Sequence, residues 1–232
     1  MTGNSLTNSV VRRLQLLLAE APWSGGGELL TVESLAQASA AMDWLREVIA
    51  QPHPALGRPG PICPFVQAAI NGRSLWLGID DADGASVLRL RWSVLRHLVR
   101  FRRKVAAEHR PALASSLMIF PRFERRFTHR LDELHSEIKT DAMDSGVMVS
   151  AFHPDSTRPA LHNPDFHVLR APVVAFAFRT MDVRDIVFLA SNRRAFDRYR
   201  AQFLAQHASG QVSDEHGYAT AFAEAEKRFG YR

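Results

Sequence analysis

A 232-residue chain with 46% hydrophobic residues and no uncharged apolar run of about 18 residues reads as a soluble globule, which sets aside a helical membrane protein. The formal charge is +5, from 29 Lys+Arg against 24 Asp+Glu, and the excess is almost all arginine, whose planar fork suits carboxylates, phosphates and cofactor propionates. Nucleic acid is disfavoured because the aromatic residues are not interleaved with the basic ones, and the single cysteine, Cys63, excludes an internal disulfide and points to a reducing cytoplasm.

In chain order, Val10, Leu14, Leu17 and Leu18 predict a helix over residues 8–20, ended at Trp23-Ser24-Gly25-Gly26-Gly27. Thr31 reads as the N-cap of a second helix that runs to Ala50, with Ser34 rather than Glu at the third position. Five prolines and two glycines between Gln51 and Pro64 exclude helix and sheet there, so this segment is an extended loop. The loop delivers Cys63 to a short helix, Phe65 to Ile70. Ser74 to Ile79 alternates as a strand, and Asp80-Asp81-Ala82-Asp83-Gly84 closes it as a solvated acidic turn; the glutamate that a calcium loop needs at its twelfth position is missing.

Ala85 to Glu108 reads as a long helix that buries Leu90, Val94, Leu98, Phe101 and Val105 and leaves its arginines on a solvated face. Ser115 to Phe120 is a buried strand, and Phe123, Phe127, Leu131, Leu134 and Ile138 mark another amphipathic helix, stopped at Ser145-Gly146. Val147 to Phe152 and Val173 to Phe178 are apolar enough for two central strands. Asp182 to Ala190 fits helix or strand equally, and the rest is helical, with Gly210 as the break. The expectation is one α+β domain over residues 1–232, a four- to five-stranded sheet flanked by helices: a helical segment to residue 50, a motif-bearing core over 51–190, and C-terminal helices.

Chemistry concentrates in the loop between the last two strands, which carries three histidines and four prolines. His153, framed by Phe152 and Pro154, leaves a strand with a fixed backbone and is placed as a metal ligand or a general base. His53, in Pro52-His53-Pro54, has the same framing and lies ten residues before Cys63. Cys63, in Gly60-Pro61-Ile62-Cys63-Pro64-Phe65, stands at the mouth of a helix, where a thiolate is stabilised as nucleophile or soft ligand. Arg58, Arg170 and Arg179 can each hold a carboxylate or a propionate. Asp155 and Asp165 lie on the loop as partners for a cationic group, while nothing sets His162 and His167 apart from surface histidines. Zinc spacings, GxGxxG, the P-loop and GxSxG are all absent.

The segments His53-Pro54-x-Leu56-Gly57-Arg58-x-Gly60-Pro61-x-Cys63-Pro64-Phe65, Phe152-His153-Pro154, Asn163-x-x-Phe166 and Leu169-Arg170-x-Pro172 resemble an uncharacterised bacterial domain family associated with specialised-metabolite pathways, over about residues 50 to 205. More distantly, Pro-x-Cys-Pro-Phe is similar to a segment of the YqcI/YcgG type of haem-dependent N-oxygenase. That resemblance implies b-type haem between the Cys63 loop and the His153 strand, with His153, His53 or Cys63 on the iron. It also implies Arg58, Phe65, Arg170 and Arg179 around the cofactor, dioxygen as co-substrate, and a small amine, amino acid or guanidino compound as substrate. Two other classes stay open. Cys63, His153 and Asn163 could form an acyl-transfer site, with thiolate, proton shuttle and orienting amide; or the domain is a non-catalytic partner whose basic face docks an acidic carrier domain. A homodimer is open as well.

Overall fold

The computed structural model describes residues 31–107, 111–214 and 216–231; the helix expected over residues 8–20 lies outside them. The fold is α+β, with seven α-helices and a mixed four-stranded sheet among the described residues. The helices are α1 (Val32–Trp44), α2 (Val66–Asn71), α3 (Val87–Val105), α4 (Thr128–Asp144), α5 (Ile186–Leu189), α6 (Arg193–Ala208) and α7 (Tyr218–Phe229). The strands are β1 (Leu75–Ile79), β2 (Ser115–Ile119), β3 (Val147–Phe152) and β4 (Ala175–Thr180), in the spatial order β1-β2-β4-β3. Among the described residues no helix is long and apolar enough to cross a membrane.

The chain divides into two compact units. The first holds the described residues up to His135 together with Val149–Arg179. Its β1 and β2 are parallel, as the intervening α3 requires, and β4 runs antiparallel to β2 with Ala175 opposite Ile119 and Phe178 opposite Ser116. Period-two alternation sends Leu75, Leu77, Leu117, Ile119 and Ala175 to one face, where they bury against Ala38, Met42 and Leu45 of the first helical segment and Ile62 of the proline-rich loop. Trp76, Phe176 and Phe178 take the other face: Trp76 and Phe178 pack on Phe101 of α3, and Phe176 on His135 of α4. Each fully buried Leu or Ile here stabilises the sheet by about 1.5–3 kcal/mol.

Local signals explain the ends of these elements. Thr31 caps α1 as expected, and Ser34 completes a capping box, each side chain accepting the other residue's N–H (3.1 and 3.0 Å); such a cap contributes about 1 kcal/mol. α1 continues to Ile49 as a wider π-helical turn. The prolines of the following loop remove donors and leave carbonyls without partners. Arg58 answers this by donating to the carbonyls of Pro59, Pro61 and Ile62 at 2.9–3.1 Å.

Three expectations are corrected. β3 is an edge strand, not a central one, and its alternating burial is what an edge with one covered face shows. The turn after β1 is not wholly solvated, since Asp80 is 1% exposed. Nor is the basic set on α3 all solvated: Arg96 pairs with Asp80 at 3.0 Å, and the Lys104 ammonium lies 4.2 Å from the centre of the Trp76 ring.

The second unit comprises Ser136–Met148 and the described residues from Thr180 onward. The segment that fitted helix or strand equally is a 3-10 turn, Val183–Asp185, running into α5. Asp182 starts it with a capping box to Asp185. Phe196, Tyr199, Phe203 and Phe222 form its core with Ile186 and Leu189. The Tyr199 hydroxyl, buried there, donates to the Val183 carbonyl at 2.6 Å and stands 2.8 Å from His207 Nε2. The His207 ring stacks flat on Phe222 at 3.9 Å, and burial pushes its pKa down.

Candidate functional site

His153 leaves β3 at its C-terminal end, where Pro154 disfavours any helical continuation. Its backbone forms a bridge to Arg170, and its carbonyl accepts from the N–H groups of Ala171 and Ser156 (3.3 and 3.2 Å). The imidazole is thereby carried inward and is 2% exposed. Nε2 stands 3.0 Å from Oδ2 of Asp132, on the first half of α4, and Arg158 Nε lies 3.5 Å from the other carboxylate oxygen. A carboxylate accepts, so Nε2 carries a proton, and in the neutral ring Nδ1 presents a lone pair.

Nδ1 is enclosed and has no hydrogen-bond partner among the described residues, and the same is true of the Ser156 hydroxyl, three positions along and fully buried. An unsatisfied buried polar atom costs about 1–3 kcal/mol, so two in one turn call for a reason. A buried imidazole held by a carboxylate through one nitrogen and bare at the other is how a metal-ligating or proton-accepting histidine is prepared.

Two clefts open in the same unit. One, about 380 Å³, is lined by Pro154 next to His153, by Phe120, Phe123 and Val173, and by the charged Glu33 and Arg125. Arg125 clamps Asp155 with both its Nε and a terminal nitrogen, and this guanidinium holds the Asp155 carboxyl below the usual carboxylate range. Asp155 is thus engaged at the rim. The other, about 270 Å³, has an apolar wall that includes Trp44, Ile62 and Phe166, and carries one acidic and one basic side chain, Asp165 and Arg170.

His53 and Asn163 join the two motif loops. Asn163 Nδ2 donates to the Ala55 carbonyl at 2.8 Å, its Oδ1 accepts from Asp165 N–H at 3.0 Å, and the His53 ring stacks on Phe166 at 4.4 Å while its Nδ1 accepts from Ala55 N–H. Gly57 makes the approach possible: its φ is +74°, and a Cβ there would lie 2.9 Å from Cβ of His162. Arg170 donates to His167 Nδ1 at 2.9 Å.

Cys63 is half-buried against the apolar cluster under the sheet, and Phe65 rather than Cys63 caps α2. No hydrogen bond joins Cys63, His153 and Asn163 to one another among the described residues. Arg179 lies over the Phe65 ring at 4.7 Å, and Arg58 is occupied by the loop carbonyls. No three His, Cys, Asp or Glu side chains gather as a metal-holding group among the described residues.

Asp132, Ser156, Arg158 and Arg125 are the residues that sequence reasoning missed. Ser156 and Arg158 stand within five positions of His153, so a reading of the whole turn would have reached them. Asp132 had no such signal, because Glu133 and Glu137 on the same helix compete for the role and only the packing of α4 selects one. A family model described as "Domain of unknown function (DUF6875)" matches residues 38–214, which takes in every one of these site residues except Glu33. No curated protein and no solved structure gives a significant match to the chain.

Proposed function

We propose that this chain, which belongs to that family of unknown function, is a haem-dependent oxidoreductase that oxidises the nitrogen of a small amine, amino acid or guanidino compound, with His153 as the ligand to the iron. The observation that carries the reading is the His153 ring itself: 2% exposed, held by Asp132 through Nε2 and bare at Nδ1. The orphaned nitrogen would hold the iron, and the resemblance to the YqcI/YcgG type supports haem as the group. Haem would supply the binding and activation of dioxygen.

The chain's own part is orientation. Asp132 fixes the ring plane, and Arg158 pairs with the Asp132 carboxylate in turn. In the smaller cleft, Arg170 suits a substrate carboxylate and Asp165 a cationic nitrogen, with the apolar wall limiting water. The backbone bridge between Arg170 and His153 ties that cleft to the proposed ligand. Of the other guanidinium groups expected at the propionates, Arg58 serves the loop and Arg179 the Phe65 ring. The acyl-transfer alternative finds less support, because Asn163 already uses its amide on Ala55 and Asp165.

The test is the visible spectrum of protein produced with added haem precursor, followed by hemin titration of the apoprotein. A Soret band is expected that is lost or shifted in His153→Ala, without the red-shifted ferrous carbonyl band of a thiolate ligand. A colourless protein that takes up no hemin refutes the proposal, and an unchanged spectrum in His153→Ala refutes the assignment of the ligand.

A further inference from the structure

α3 has two apolar faces. The first is ordinary: Leu90, Val94, Leu98 and Phe101 are buried in the unit's core. The second is formed by Leu88, Trp92, Leu95 and Val99, exposed by 78, 71, 36 and 47%. At about 100° per residue these four project within an arc of roughly 60° on the side away from the core, over about 16 Å of helix. Single exposed apolar residues need no explanation, but four in register on a helix do.

Their spacing alternates four, three and four, which is the d-a-d-a seam of a heptad pattern. With Trp92 at an a position, the e positions beside the seam are Arg89, Arg96 and Arg103, and Arg91 occupies the g position nearest its start. No acidic residue occurs anywhere in α3. Arg100, Arg102 and Arg103 make no ion pair among the described residues, while Arg89 reaches Asp81 at 2.7 Å. The helix is also fixed in rotation. Ser93, Arg96 and His97, all on α3, converge on the buried Asp80 carboxylate, so the outer seam cannot roll inward.

We infer that this seam is a docking surface for one α-helix of a partner protein, a helix with an apolar a/d face flanked by Glu or Asp. Charge decides between occupants. A second copy brings arginine against arginine at the e positions of an antiparallel pair, which like-charge repulsion opposes. A lipid surface calls for an apolar face of 100° or so, and this arc is narrower than that. An acidic helix satisfies the seam and its borders together, with Trp92 as the central aromatic anchor.

The experiment uses the full chain and two fluorescently labelled helical peptides of roughly three heptads, with Leu and Ile at the seam and either Glu or Lys at every e and g position. Anisotropy titration should show binding of the Glu peptide and at least roughly tenfold weaker binding of the Lys peptide. The double variant Trp92→Ala, Leu95→Ala removes only exposed side chains and should keep its circular dichroism while binding the Glu peptide at least roughly tenfold less tightly. Arg103→Glu should narrow or reverse the preference between the two peptides. Equal binding of both, or no effect of the double variant, overturns the inference. So does sedimentation of the wild type as a dimer that Trp92→Ala dissociates, which assigns the face to a second copy. Flotation with phosphatidylserine vesicles that depends on Trp92, without discrimination between the peptides, assigns it to lipid. None of these readouts involves haem, so they stand or fall apart from the proposed function.

Discussion

Replacing Asp80 by alanine tests how the first unit is held together. The carboxylate is 1% exposed and accepts four hydrogen bonds: Ser93 Oγ (2.9 Å) and Ala82 N–H (3.0 Å) on one oxygen, Arg96 (3.0 Å) and His97 Nε2 (3.1 Å) on the other. Burial alone would raise its pKa, but the bonds from His97, Ala82 and Ser93 outweigh burial and hold it well below the usual carboxylate range. Asp80→Ala strands the Ser93 hydroxyl, the His97 ring and the Ala82 N–H, each at about 1–3 kcal/mol. Arg96 is 41% exposed and turns to water, so its loss adds little. These costs do not add in full where neighbours share one carboxylate, and the expected destabilisation is about 3–5 kcal/mol, the range for breaking a buried pair. Urea unfolding followed by tryptophan fluorescence reads it, since Trp76 packs on Phe101 of α3; at a slope of about 2 kcal/mol/M the midpoint falls by about 1.5–2.5 M. Acid gives a second reading. The unfolded carboxyl protonates near pH 3.9 and the folded one lower, so this stabilisation is complete above about pH 5 and fades as pH falls below about 4. The variant should lack that part of the acid slope. A midpoint shift under about 0.5 M, or an unaltered acid slope, refutes the reasoning.

Gly57→Ala forces a side chain into left-handed backbone and against His162, at a cost of about 2–3 kcal/mol, and should raise the rate of proteolysis in the two motif loops that Asn163 joins; a variant as stable and as resistant as the wild type contradicts this. Asp132→Asn leaves the His153 ring without its carboxylate and, on the haem reading, should weaken hemin binding roughly 10–100-fold with little change in the fold; unchanged affinity would show that Asp132 does not prepare the ring.

The elements were legible because their signals are local. Thr31 with Ser34, the prolines of residues 51–64 and the period-two strands each announce themselves within a few positions. The order of the strands did not, because β3 is as apolar over Val147–Phe152 as an interior strand, and only its alternating burial separates it from β4. Asp80 misled for a related reason: it opens a run of acidic residues typical of exposed turns, and the groups that neutralise it stand 13 to 17 positions away on α3. At the site, His153 was legible from its proline and its strand, and its carboxylate was not, since helix periodicity marks buried apolar positions and is silent on a polar one that faces inward. The outer seam of α3 was hidden by expectation, because a single buried stripe explains the helix until exposure is known.

The proline-rich loop has a consequence for how this chain tolerates change. One guanidinium there answers three carbonyls, so replacing Arg58 leaves three acceptors to find other partners at once. Lysine keeps the charge but concentrates its donors on a single atom, and it cannot serve carbonyls spread over Pro59, Pro61 and Ile62 at once. The exchange that looks mildest on paper is therefore one that this loop resists.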